Sequence, residues 1–515
     1  MEEISITPRE YQEEIFKITK DKSTLVVLPT GTGKTLIAMM TSVHKFKLKP
    51  LEKIVILAPT RPLIEQHFKD FQEKLPEGWM DAQLFTGKTP SSSRKKIWDT
   101  AEFIFSTPQC ISNDLKKGLY GLEEVSLLII DEAHRCVKNY AYNHVSKRYK
   151  EQKKDGHLLA LTASPGGDKK SIKQICENLN VEAVEVRTRD SPDVKPYLQE
   201  LEFEKIFVDF PPELMQIKFL LEGIYNQKAQ DLKNRKLLFN APSKISLLKL
   251  QTKLAMELRR GRNGNKMWGI SLCAQALKIA HAIELIETQT VASLIEYMKS
   301  LYAKADEKQS KGVQVITKDP RFQRAFTLAT TLSKEHPKVE ELRVIVKEQL
   351  EENPDAKIII FAQFRETLRK LQEVLNKIEN ASAGIFVGQA QKKNSKGQLT
   401  GLKQKDQKKM IQDFRDGEIN ILLATSIAEE GLDIPEVSEV IFYEPVPSAI
   451  RKIQRAGRTA RLSPGKLKVL ITKKTRDEIY YYSSYHKEKK MHRAIDDIKK
   501  DFSKKNINEI QETLL

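Results

Sequence analysis

The stretch Leu28-Pro29-Thr30-Gly31-Thr32-Gly33-Lys34-Thr35 restricts the fold of this chain more than any other. An apolar run, Leu25-Val26-Val27-Leu28, leads into it, and Leu36-Ile37-Ala38-Met39-Met40 leads out. A strand, a glycine loop and a helix in that order form the setting of a phosphate-binding loop. The glycines let successive backbone N–H groups turn towards one anion, and the helix N-terminus adds a partial positive charge. In such a loop Lys34 reaches the β- and γ-phosphates, and the Thr35 hydroxyl sits on Mg²⁺. The usual pattern opens with glycine six residues before the lysine; that place here is Leu28.

Further short apolar runs follow: Ile54–Leu57, Phe103–Phe105, Leu127–Ile130 and Leu158–Leu161. Alternating with helical patterns, they predict buried parallel strands of an open α/β sheet, whose ligands bind at the carboxyl ends. Two runs end in Ala58-Pro59-Thr60-Arg61 and Ser106-Thr107-Pro108-Gln109. Hydroxyls, an arginine and loop N–H groups there suit a sugar–phosphate backbone, although ordinary strand-to-helix turns look the same. The run Leu127–Ile130 ends in Asp131-Glu132-Ala133-His134. A carboxylate directly after such a strand holds Mg²⁺, usually through water, and Glu132 is placed to orient or deprotonate an attacking water. Thr162-Ala163-Ser164 ends the last run with small hydroxyls suited to linking two sides of a cleft. Upstream of the loop, Pro8-Arg9-Glu10-Tyr11-Gln12 offers a glutamine amide that matches the N6 donor and N7 acceptor of adenine.

From about Pro211 to His336 the strand pattern stops. Ala276, Ile279, Ile283 and Ile286, then Val291, Leu294, Met298 and Leu301, repeat at helical spacing and predict packed helices. The basic loop Arg259–Lys266 reads equally as a phosphate contact or a solvated turn. After a helix signal at Val339–Leu350 the strands resume at Ile358–Phe361, Ile385–Val387, Ile421–Ala424, Val440–Phe442 and Leu467–Ile471. This half has no phosphate loop but carries Thr425–Pro435 and Gln454-Arg455-Ala456-Gly457-Arg458-Thr459-Ala460-Arg461. Arg458 and Arg461, three apart on one helical face, point at a single γ-phosphate and make hydrolysis depend on closure of two lobes. The terminal Tyr480, Tyr481, Tyr482 and Tyr485 read better as packing residues than as base-stacking ones.

At 515 residues the chain calls for about three domains. A net charge of +18 favours a polyanionic partner, nucleic acid ahead of an acidic membrane. The scattered Cys110, Cys136, Cys176 and Cys273 suggest neither a zinc site nor a disulfide framework. No signal peptide and no membrane-spanning apolar run is legible, so a cytoplasmic, nucleoid-associated protein is expected.

Together, these motifs resemble a superfamily 2 helicase. Leu-Pro-Thr-Gly-x-Gly-Lys-Thr, Ser191-Pro192-Asp193-Val194 and Glu444–Arg451 are similar to the archaeal Hef and eukaryotic FANCM family, in which leucine at the Leu28 place is usual. The resemblance implies an α/β fold of two RecA-like parallel-sheet lobes with an all-helical insert between them. The expected divisions are an ATP-binding lobe over 1–205, a helical insert in contact with nucleic acid over 206–336, a lobe with the arginine fingers over 337–490 and a basic tail over 491–515. It implies ATP in the cleft, held by Arg9, Gln12, Thr30, Gly31, Thr32, Gly33, Lys34 and Thr35, with Gln12 at the adenine and Asp433 near the ribose. Thr35 and Asp131 would hold Mg²⁺. Lys34, Asp131, Glu132, Gln454, Arg458 and Arg461 would carry the chemistry, and Thr60, Arg61, Thr107 and Thr425 the nucleic-acid backbone. The family acts on forked and branched DNA in the 3′ to 5′ direction, which implies such DNA, and a separate nuclease or repair factor, as partners.

Two departures stand out. The family commonly has glycine where this chain has Ala460, read here as the small addition of one methyl. The Glu-Arg-Lys signature of the Hef nuclease is not found up to Leu515, so no nuclease activity is expected of this polypeptide. Two rival readings remain: a duplex-RNA ATPase of the RIG-I and Dicer type, and an ATP-gated clamp that recruits a nuclease. Ala133, where the RNA group usually has cysteine, favours DNA.

Overall fold

The structure, a computed structural model, describes residues 4–513 apart from 138–139, 167–168, 260, 262, 390–400, 430–433 and 461–462. Two parallel sheets organise it. The first contains β1 (Thr24–Val27), β2 (Lys53–Leu57), β3 (Ala82–Phe85), β4 (Phe103–Ser106), β5 (Val125–Ile130), β6 (His157–Thr162) and β7 (Ala183–Val186), in the spatial order β3-β4-β2-β5-β6-β1-β7. The second contains β8 (Leu201–Val208), β9 (Ile358–Phe361), β10 (Ala383–Phe386), β11 (Ile421–Ala424), β12 (Glu439–Phe442) and β13 (Gly465–Thr472), in the order β10-β11-β9-β12-β13-β8. Every apolar run read from the sequence is one of these strands, buried on both faces under flanking helices, as parallel sheets require. Because all pairings are parallel, the loops leaving each sheet share one carboxyl edge.

Strands β3, β7 and β8 were not legible. The first and last are edge strands, partly exposed, and their apolar residues are interrupted by polar ones. Strand β8 also corrects the expected break at 205, which falls inside it. It pairs in register with β13 from Leu201–Gly465 to Val208–Thr472, so the chain has already entered the second sheet before the helical bundle begins.

The bundle has six helices, Pro212–Asn234, Lys244–Arg259, Gly264–Thr288, Val291–Asp306, Lys311–Thr317 and Pro320–Thr331. Both predicted stripes are buried in it. Helix Gly264–Thr288 has the length and apolar content of a membrane span, which the run-length reading missed, yet most of its apolar window is buried in the protein.

The expected tail over 491–515 is instead the end of a long helix, Arg476–Thr513. It begins on the bundle, where Arg476 Nη1 donates to the Ala280 carbonyl at 2.8 Å and Tyr480 approaches Glu284. It ends on the first lobe, where Met491, Ala494, Ile495 and Ile498 join the core formed with Ile172, Ile175 and Val184. One helix therefore ties all three units. Tyr481 is buried in the second lobe, while Tyr482 and Tyr485 are about half exposed, so packing explains part of the tyrosine cluster.

Candidate nucleotide site and nucleic-acid rim

Gly31 and Gly33 have φ of +78° and +76°, the left-handed region that glycine tolerates. At Gly33 space matters as much as conformation, since a Cβ there would lie 2.4 Å from Gln12 Nε2. Gln12 Nε2 donates to the Thr32 carbonyl at 3.0 Å, and the Tyr11 hydroxyl donates to the same oxygen at 2.7 Å. Gln12 Oε1 accepts the Arg9 N–H at 2.8 Å, so both ends of the amide are engaged and helix Glu10–Thr19 clamps the loop. The Arg9 guanidinium lies 5.0 Å from the centre of the Tyr197 ring. Lys34 Nζ donates to the carbonyls of Leu28 and Pro29, and Thr32 Oγ1 also donates to Pro29. Thr35 lies half-buried in the first turn of helix Lys34–Leu48.

Asp131 ends β5 and is buried. Its Oδ2 lies 2.7 Å from His67 Nε2 and its Oδ1 accepts the Glu132 N–H at 2.8 Å. Burial works against the carboxylate, but His67, Lys34 and the Glu132 N–H together hold it below the usual carboxylate range. Burial likewise opposes the His67 imidazolium, and the bond to Asp131 prevails to hold its pKa above the ordinary histidine value. Nothing in the local sequence marked His67; helix Arg61–Lys74, packed on β3 and β4, carries it to Asp131. Glu132 has φ +51° and ψ +50°, a conformation costing a non-glycine residue about 1–2 kcal/mol. Its Oε2 lies 3.1 Å from His134 Nδ1, which is 3.3 Å from Thr162 Oγ1. Ser164 Oγ donates to Met491 Sδ of the C-terminal helix, which packs into the core of this same lobe, at 2.9 Å.

The second lobe meets this site through helix Ala449–Ala456 and the turn after it. Gly457 packs on the phosphate loop so closely that a Cβ would fall 1.7 Å from Thr30 Oγ1. Arg458 Nη2 donates to the Glu429 carbonyl at 2.8 Å. The Glu429 carboxylate receives Arg451 through Nε and Nη2 and Arg455 through Nε, at 2.8 to 3.0 Å. Gln454 is buried on the same helix. Sequence reading quoted Glu429 and Arg455 inside their motifs and gave neither a role. Asp433 and Arg461 lie outside the described residues.

Ala460 is buried with φ +55°. This corrects the reading of that position as one added methyl. The family's glycine suits a left-handed backbone, and alanine there carries conformational strain. Ala460→Gly is expected to stabilise the protein by about 1 kcal/mol, read as a higher urea midpoint at unchanged slope. An unchanged or lower midpoint would refute this.

Thr60, Thr107 and Thr425 are each the N-cap of the helix that follows β2, β4 or β11, and none of their hydroxyls caps its own helix. All three stand at carboxyl edges of the sheets. Arg61 is paired with Glu65 at 2.6 Å, and Glu65 is also 3.6 Å from Lys408 of the second lobe.

A phosphate loop on one parallel-sheet lobe, faced by an arginine-bearing helix from another, is the arrangement of a two-lobed nucleotide-binding core. Residues 9–172 match the DEAD/DEAH box helicase family and 338–463 the helicase conserved C-terminal domain. Residues 213–336 match a family described as "Putative ATP-dependent RNA helicase, helical bundle". The crystal structure of the Pyrococcus furiosus Hef helicase domain superposes with a TM-score of 0.69 at 41% identity, over 93% of this chain and 98% of that one. A Methanocaldococcus jannaschii protein bearing the provisional name of an ATP-dependent RNA helicase is 38% identical over 95% of this chain and 61% of its own length. The ATP-dependent DNA helicase mph1 of Neurospora crassa is 32% identical over 90% of this chain and 41% of its own. The chain belongs to the Hef helicase family. It spans about three-fifths or less of the length of these two curated relatives.

Proposed function

We propose that this chain is an ATP-driven DNA helicase or translocase that remodels forked and branched DNA, moving 3′ to 5′ as its family implies. The observation that carries the motor reading is the seating of Gly457 on Thr30, which puts the Arg458 turn of one lobe against the phosphate loop of the other. Lys34 binds the β- and γ-phosphates, and Gln12 reports the base to the loop because it already holds Thr32. Oxygen donors suit a hard cation, and Asp131, held ionised, with the Thr35 hydroxyl would hold Mg²⁺. When bound, the ion neutralises phosphate charge. Glu132 orients the attacking water and takes its proton, while Arg458 stabilises charge on the transferred phosphoryl group. Thr60, Arg61, Thr107 and Thr425 grip the nucleic-acid backbone on the two lobes in turn.

DNA is favoured by Ala133 and by the mph1 and Hef relatives. Duplex RNA is the second reading, favoured by the names attached to the bundle family and to the Methanocaldococcus relative. The test is the steady-state ATPase rate with no nucleic acid, forked DNA, linear duplex DNA and duplex RNA. Forked DNA is expected to stimulate most, and Lys34→Ala to remove at least about 10²-fold of the stimulated rate, because a charge aimed at the transition state is lost. Stimulation mainly by RNA would replace the DNA reading. Stimulation that survives Lys34→Ala would overturn the site.

A further inference from the structure

Gln289 follows the longest helix of the bundle, Gly264–Thr288, and its side chain is completely buried against the second lobe. Its Oε1 accepts from Thr367 Oγ1 at 2.8 Å. Its Nε2 donates to Glu444 Oε2 at 3.2 Å and to Thr288 Oγ1 at 3.1 Å. Beside it, the buried Lys338 ammonium donates to the carbonyls of Thr288 and Tyr443 and to Asp477, which joins the bundle to the second lobe. An apolar contact would hold these two units together without removing an amide and a carboxylate from water. Anchoring alone therefore does not explain Gln289 and Glu444.

Glu444 follows β12, and burial pushes its carboxyl up to about 7. Its Oε1 has no hydrogen-bond partner among the described residues. Arg455 is the cation whose field acts most strongly on it, and Arg455 is itself completely buried over Phe361 and Phe442. Arg455 commits Nε to Glu429, whereas Nη1 and Nη2 have no hydrogen-bond partner among the described residues. Arg455 therefore has one end bonded and the other unsatisfied, in the field of a carboxylate with a spare oxygen, so Glu429 and Glu444 both offer it acceptors. Glu429 is the point at which that choice matters, because its carboxylate holds Arg455 and its carbonyl holds Arg458.

We propose that Gln289 is a positioning residue that couples the helical bundle to the arginine helix, through Glu444 and Arg455 to Glu429 and Arg458. This rests on the motor function proposed above, with the bundle as the expected nucleic-acid contact whose binding is passed on to ATP hydrolysis. A small shift of the bundle moves Glu444, redistributes Arg455 between Glu444 and Glu429, and so sets the aim of Arg458. A packed polar junction with two discrete arrangements is the kind of element that transmits such coupling.

The experiment compares wild type, Gln289→Leu, Thr367→Val and the swap Gln289→Glu with Glu444→Gln, which keeps one amide and one carboxyl in contact. In Gln289→Leu the ratio of DNA-stimulated to basal ATPase is expected to fall about fivefold or more. The basal rate, the KM for ATP and the affinity for forked DNA stay at wild-type values. Thr367→Val falls in the same direction, and the swap, which takes the carboxylate away from Arg455, does not restore the ratio. An unchanged ratio, a fall in basal and stimulated rates together, or a swap that restores the wild-type ratio would each overturn the coupling. Wild type that shows no stimulation by any nucleic acid would instead remove the motor reading and this proposal with it.

Discussion

Arg458→Ala is expected to lower the DNA-stimulated kcat for ATP hydrolysis by about 10³-fold or more, the usual worth of an arginine finger. The KM for ATP should change little, because the phosphate loop and its clamp lie wholly in the first lobe. The melting temperature should also hold. Arg451 and Arg455 remain on the Glu429 carboxylate after the Arg458 bond to the Glu429 carbonyl is lost. Arg458→Lys should recover little, since an ammonium lacks the planar fork that engages phosphate oxygens while docked on a neighbour. Single-turnover hydrolysis with ATP bound in advance separates the cases. A loss confined to KM, or a kcat within tenfold of wild type, would refute Arg458 as the trans-acting cation.

Gly457→Ala is the second large effect, and it tests lobe contact in place of charge. The added Cβ would fall 1.7 Å from Thr30 Oγ1 and 2.6 Å from Thr30 Cβ. Rotating the threonine side chain moves the hydroxyl but not its Cβ, so the lobes must separate by about 1 Å. A displacement of that size in a reactive geometry costs about 10²-fold in rate. ATP binding and the core of each lobe should be unchanged, so the variant should bind a fluorescent ATP analogue normally and melt like wild type while hydrolysing slowly. A fully active Gly457→Ala would mean that the lobes do not work in this contact.

Much of this site was legible because its signals are local. Lys34 is recognised by the glycines beside it, and Asp131 and Glu132 by the apolar strand they follow. Thr60, Thr107 and Thr425 also lie where strand ends predicted, each at an N-cap. The interior strands declared themselves because both of their faces are buried, whereas β8 hid among Glu202, Glu204 and Lys205. His67 was invisible because one histidine among the polar residues of an amphipathic helix carries no local mark. Its partner, Asp131, lies 64 positions away. The strain at Ala460 was equally hidden, since a residue name does not report φ.

The sequence by itself determined the class of fold, two parallel sheets with a helical insert, and the place of the phosphate loop and of the acidic strand end beside it. Strand periodicity and loop chemistry act over a few residues, and a few residues suffice to read them. The tertiary structure alone decided how the units are joined. It placed β8 in the second sheet, carried the C-terminal helix back onto the first lobe, set Gly457 on Thr30, and hung Arg451, Arg455 and Arg458 on Glu429. These contacts join residues tens to hundreds of positions apart, and they are selected by shape and by the need to satisfy buried charge. That need arises only when the lobes are assembled.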